Sequence, residues 1–176
     1  MKFGVNLLNF GSGATPSVMG RWAMAAEELG YHFVMISDHV AVTKDVQMRY
    51  PVPFYDPFVV LAWLSGITAK VELGTTVTIL PYRHPLQTAR MAASIDNLSG
   101  GRFIFGVGVG WATQEFEVLG LPFERRGSMS DEYLSAILDH WNKETISRGG
   151  SRVWTAPAPA RSPHPRSGWA ALASLP

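Results

Sequence analysis

Hydrophobic and polar positions along this chain alternate between continuous runs and spaced stripes. Four segments, 2–9, 32–38, 71–80 and 102–109, are apolar at most positions, the pattern of strands covered on both faces. Between them the apolar residues recur at helical spacing. Thr15-Pro16 reads as a cap followed by a first helical residue, with Val18, Trp22, Ala26 and Leu29 as the stripe and Gly30 as the stop. Asp56-Pro57 repeats that start ahead of Val60, Trp63, Leu64 and Ile67. A third helix is predicted from Pro85 to Leu98, ending at Ser99-Gly100-Gly101. A fourth over 129–141 rests on Met129, Tyr133, Ile137 and Trp141. Segment 40–55, with Pro51 and Pro53, reads as a loop inserted after strand 2. The order β-α-β-α-β-α-β-α implies an α/β fold of parallel strands, lying side by side in chain order.

Side chains alternate across a strand, so each run divides into two faces. In every run one face turns small or polar toward the carboxyl end: Gly4 and Asn6; Ser37 and His39; Gly74, Thr76 and Thr78; Gly106, Gly108 and Gly110. Four such faces together imply a concave site, although glycines that relieve crowding inside a barrel would give the same pattern. Ligands of parallel α/β proteins bind at the carboxyl ends of the strands, which places Asp38 and His39 at the mouth of the site. His39 is expected to face the ligand, with Asp38 orienting it or bonding nearby backbone amides. His84 can face the mouth or shape the turn around Pro85, and His32 and His140 read as structural. The glycines of GVGVG, 106–110, follow a strand as a dinucleotide loop does. Their spacing is wrong for that motif, so a nucleotide-binding α/β domain is a minor alternative.

Composition narrows the chemistry. With 47% hydrophobic and 16% charged residues, the 176-residue chain is globular and long enough for one sizeable core. A formal charge of +1 gives no electrostatic case for nucleic acid or a membrane surface as a partner. The absence of cysteine excludes disulfides and thiol nucleophiles, and no metal-binding motif is present, so no metal is expected. No apolar run approaches the ~18 residues of a membrane span, and no signal peptide is evident, so a cytoplasmic location is expected. After Glu144 there is no further acidic residue, and five of the 12 prolines fall in the last 26 positions. The reading is a barrel-like domain over 1–148 and a poorly structured tail rich in proline, arginine and alanine over 149–176. A strand near Val153-Trp154 is the one regular element the tail can hold.

Four stretches, MKFGVNLLNFG, AEELGYHFVMISDHV, YDPFVVLAWLSGITAKVELGTTVTILPYRHPLQTARMAASIDNLSGGR and FGVGVGWATQEFEVLG, resemble in sequence and order the bacterial-luciferase-like oxidoreductases. The resemblance covers residues 1 to about 147 and is nearest to a deazaflavin-dependent branch. It implies a (β/α)₈ TIM barrel with reduced FMN or the deazaflavin coenzyme F-420 lying across the carboxyl ends of the strands. The activity it implies is monooxygenation or hydride transfer on a small organic substrate. Position by position, it assigns His39 as catalytic acid/base and Asp38 as its cofactor-contacting neighbour. Thr76-Val77 falls where the family often has a non-proline cis peptide supporting the ring. Gly108, Gly110 and Gln114 fall at further cofactor contacts, and Trp111 stands where some deazaflavin dehydrogenases carry an acid. A full barrel takes roughly 250 residues, so four βα units, a truncated half, are expected here. An open half-barrel is expected to associate as a homodimer or larger oligomer, and the alternative function is a non-catalytic oligomer that at most binds a flavin.

Overall fold

The computed structural model describes residues 1–142, 145–148 and 151–154. Its elements are β1 (Gly4–Asn6), α1 (Pro16–Glu28), β2 (Phe33–Ile36), α2 (Lys44–Gln47), α3 (Pro57–Ser65), β3 (Glu72–Thr75), β4 (Thr78–Ile79), α4 (Pro85–Leu98), β5 (Phe103–Ile104), β6 (Val107–Gly108), α5 (Thr113–Val118), α6 (Arg126–Asn142), β7 (Thr145–Arg148) and β8 (Ser151–Trp154). β1, β2, β3 and β5 form one parallel sheet in chain order, with Val5 opposite Val34 and Val34 opposite Leu73. This is the expected half of a barrel, and it rules out a doubly wound order. The two longer runs are each split in two. The run at 71–80 breaks at Thr76-Val77, whose peptide bond is cis, and resumes as β4. β4 pairs in parallel with β6, with Thr78 opposite Val107 and Ile79 opposite Gly108.

The helix starts follow the expected chemistry. Thr15 accepts a hydrogen bond from the Val18 amide, and Asp56 accepts from Phe58 and Val59. His84 caps α4 by accepting from Leu86 through Nδ1, so the turn-shaping role is the one it fills. The stripe of α1 differs from the expected one. Met19, Ala23 and Ala26 are buried with Gly20, whereas Trp22 and Leu29 are largely exposed. Small residues win because Trp63 and Ile67 of the α3 region lie directly over Gly20, leaving no room for a larger face. In α6, Met129, Ile137 and Trp141 are buried, and the Trp141 indole N–H donates to the Ala89 carbonyl of α4.

The face of the sheet toward the helices holds the core, with Val34, Ile36, Leu73, Phe103 and Phe105 at most 1% exposed. Truncating a residue such as Phe103 there costs about 3–5 kcal/mol. The opposite face carries Asn6, Met35, Gly74 and Ile104 in lateral register. It is less covered: Leu8 is 57% exposed, Met35 and Ile104 are half-buried, and Thr76 is exposed. Arg102 ties the end of the α3 region to the start of β5, donating to the carbonyls of Ser65, Thr68, Val71 and Ser99 and to the Thr68 hydroxyl. In the expected tail, Ser151–Trp154 is a strand paired antiparallel with Thr145–Arg148, so a boundary at 148 cuts through a hairpin. The remainder of that tail, 155–176, lies outside the described residues. Among the described residues no helix is long and apolar enough to cross a membrane.

Candidate active site

Strand β2 ends in Ser37-Asp38-His39, and the three side chains part company there. Asn9, at the end of the first strand run, fixes the backbone: its amide donates to the carbonyls of Ser37 and Tyr55, and its oxygen accepts from the Ser37 amide. Asp38 turns toward the next strand. Its carboxylate accepts both arms of the Arg83 guanidinium at 2.7 and 2.8 Å and the Ile79 amide at 3.0 Å. Burial pushes the Asp38 carboxyl up, but three donors and no acceptor hold it as the carboxylate. Burial opposes the Arg83 charge, and Asp38 and Asp56 together outweigh it, raising Arg83 above its ordinary value. Arg83 also donates to Asp56, the cap of α3, at 2.9 Å. Asp38 therefore locks β2, β4 and α3 together, and of the two expected roles it fills the amide-bonding one.

His39 turns the other way, into Glu115 of α5. His39 Nδ1 lies 2.7 Å from Glu115 Oε2, with the two side chains 4% and 0% exposed. Glu115 Oε1 accepts from the amides of Val40 and Ala41 at 2.6 and 2.8 Å. All three partners are donors, so Nδ1 carries the proton of the neutral ring and Nε2 is left as the free position. Glu115, not Asp38, orients the histidine. Burial and the Glu115 carboxylate together push the Tyr82 phenol well above its ordinary range.

Nothing in the expected site pointed to Glu115, although a signal exists. Ala112, Glu115, Phe116 and Leu119 share one helical face, so a glutamate sits inside an apolar stripe. The matching partner is 76 residues away, where no local pattern reaches.

The rest of the site is aromatic. Ring centroids of Tyr50, Phe54 and Trp111 lie 5.2, 5.4 and 5.9 Å from the His39 ring. Phe10 packs against Tyr50 and Phe54. Tyr50 and Phe54 come from the inserted loop 40–55, which is anchored along its length as well as at its Glu115 and Asn9 ends. Gly11 donates to the carbonyls of Pro51 and Pro53, and Asp45 of α2 accepts from the Gln114 amide on α5.

The other expected contacts are placed as follows. Thr76 is exposed on the inner face and its hydroxyl meets the Asn6 amide oxygen at 3.0 Å. Val77 follows the cis bond and fills the space a Cβ at Gly108 would need, 2.4 Å away. Gly110 has φ +83°, and a Cβ there would strike Ile79 and Phe116. Neither position has room for a side chain. Gln114 is exposed, and its backbone amide is spent on Asp45. The residues present fit a flat ring on the inner face: it offers Thr76 and Asn6 beside apolar Leu8, Met35 and Ile104, the last two closing over Gly74.

Known proteins share this fold. The luciferase-like monooxygenase family model matches residues 1–174. An uncharacterized protein of Mycobacterium tuberculosis is 32% identical, over 93% of this chain and 63% of its own length. The crystal structure of monooxygenase RslO1 from Streptomyces bottropensis superposes with a TM-score of 0.79 at 27% identity, covering 96% of this chain and 53% of that one. The coenzyme F-420-dependent tetrahydromethanopterin reductase of Methanopyrus kandleri superposes with a TM-score of 0.65 at 27% identity, covering 92% and 46%. The chain thus spans about half to two thirds of the length of these proteins. Matched by that family model over nearly its whole length and folded as a parallel half-barrel, the chain belongs to the luciferase-like monooxygenase family.

Proposed function

We propose that this chain carries the acid–base half of an oxidoreductase that uses reduced FMN or coenzyme F-420 on a small organic substrate. When bound, that group would supply hydride transfer or oxygen activation, held by Thr76 and Asn6 on the inner face. The observation that carries the reading is the pairing of His39 with Glu115. A buried imidazole held at Nδ1 by a fully buried carboxylate has one ring nitrogen left, and three aromatic rings pack around it. Nε2 of the neutral ring takes a proton from substrate, and the imidazolium that results is stabilised 2.7 Å from Glu115. Returning the proton from Nε2 completes the cycle. The same residues serve a monooxygenase and a dehydrogenase, because both need one proton moved beside the reacting carbon or oxygen.

The experiment is titration of the full chain with FMN and with coenzyme F-420, followed by absorbance, together with turnover of the form that binds. His39→Ala is expected to lower turnover by about 10²–10⁴ while leaving cofactor affinity within a few-fold. Equal turnover in the variant removes His39 from the mechanism. Cofactor binding without turnover in either form favours the non-catalytic half-barrel.

A further inference from the structure

Arg49 stands at the rim of the aromatic box, on the inserted loop next to Tyr50. Its guanidinium carbon lies 4.7 Å from the centroid of the Trp111 ring, in a cation–π stack. The contact is made over the ring face and uses none of the guanidinium N–H donors in a hydrogen bond. Among the described residues none of those donors meets a carboxylate or a carbonyl. The contrast with Arg83 and Arg102 is direct: one is saturated by two carboxylates, the other by five oxygens. Arg49 is exposed, yet the loop that carries it is anchored to Gly11 and to α5, so the charge is held in place beside the box. Trp111 also touches the other members, at 5.9 Å from His39 and 6.5 Å from Tyr50. One indole thus lies between the Arg49 guanidinium and the His39 ring.

From this we infer that Arg49 is a specificity-determining residue. The substrate class it selects is a planar, apolar molecule bearing a carboxylate, with the flat part against the solvent-facing surface of Trp111 and Tyr50 and the carboxylate on the guanidinium. A planar fork matches a carboxylate in bidentate fashion and stays charged at every working pH. A neutral substrate would use the box but leave the fork to water. The inference rests on reading the His39 box as the substrate side of the site.

The test reads binding without any cofactor, so its outcome stands apart from that of the titrations above. Cinnamate, its neutral amide cinnamamide, and phenyl phosphate are added to the full chain. The Trp111 indole N–H and Arg49 Nε–H resonances are followed by ¹H–¹⁵N NMR. Cinnamate is expected to bind about tenfold more tightly than cinnamamide, since a hydrogen bond to a charged group is worth about 1.5–3 kcal/mol. Arg49→Met is expected to abolish that preference while retaining cinnamamide binding and an unchanged melting temperature. No preference in the native chain, or the same preference in Arg49→Met, overturns the proposal. Tighter binding of phenyl phosphate than of cinnamate overturns the carboxylate assignment in favour of a phosphate.

Discussion

Asp38 and His39 are neighbours in sequence and almost equally buried, at 3% and 7% exposure, yet they serve opposite ends. Around Asp38 every bond is closed: two oxygens meet three donors, and the Arg83 that supplies two of them goes on to the cap of α3. Around His39 one bond is left open. Glu115 is closed on three donors, and the imidazole it holds has its second nitrogen without a partner among the described residues. Burial alone does not distinguish architecture from chemistry.

The largest effect expected from breaking this comparison is at Arg83. Arg83→Met leaves the Asp38 carboxylate buried beside a single amide. It should cost about 3–5 kcal/mol in urea unfolding, because removing one partner of a buried pair strands the other. A loss below about 1 kcal/mol would mean that Asp38 is not held as an ion. Glu27 sharpens the same point at the surface. It accepts from the amides of Ala69, Lys70 and Val71, as Asp38 accepts from Ile79. Partial burial raises the Glu27 carboxyl, the three amides lower it, and the net direction is down. A depressed carboxylate stabilises the fold above its ordinary value of 4.5, and that contribution is lost as pH falls through the lowered one. Glu27→Gln should therefore flatten the acid limb of the stability profile and leave turnover unchanged.

Much of this was readable in the residues. Thr15-Pro16 and Asp56-Pro57 mark helix starts because both the cap and the proline act locally. Strand order followed from the spacing of apolar runs and the short right-handed connections. The failures were at a distance. The α1 stripe depends on Trp63 lying over Gly20, and the Glu115 partnership depends on a loop 75 residues upstream. His39 was legible as polar at a strand end, but its orienting carboxylate had to be found in space.

His140 offers the smallest effect and a control for His39. Its ring is buried with neither nitrogen hydrogen-bonded. Burial, with Arg90 adding to it, lowers its pKa below the ordinary 6.5. A depressed histidine favours the fold above 6.5 and penalises it as pH falls through that value, when the unfolded chain takes up the proton. His140→Leu should reduce the stability lost between about pH 7 and pH 5, read by thermal melts at each pH. An unchanged slope would place that proton uptake elsewhere.

The central claim is that Glu115 fixes His39 with the proton on Nδ1 and Nε2 free. Long-range ¹H–¹⁵N NMR of the histidine side chains reads this directly, with no cofactor or substrate present. In the neutral form the His39 signals should show Nδ1 protonated and Nε2 bare, and Glu115→Gln should disturb that pattern while leaving His32 and His84 unchanged. A neutral His39 protonated at Nε2, or a pattern indifferent to Glu115→Gln, would contradict the account.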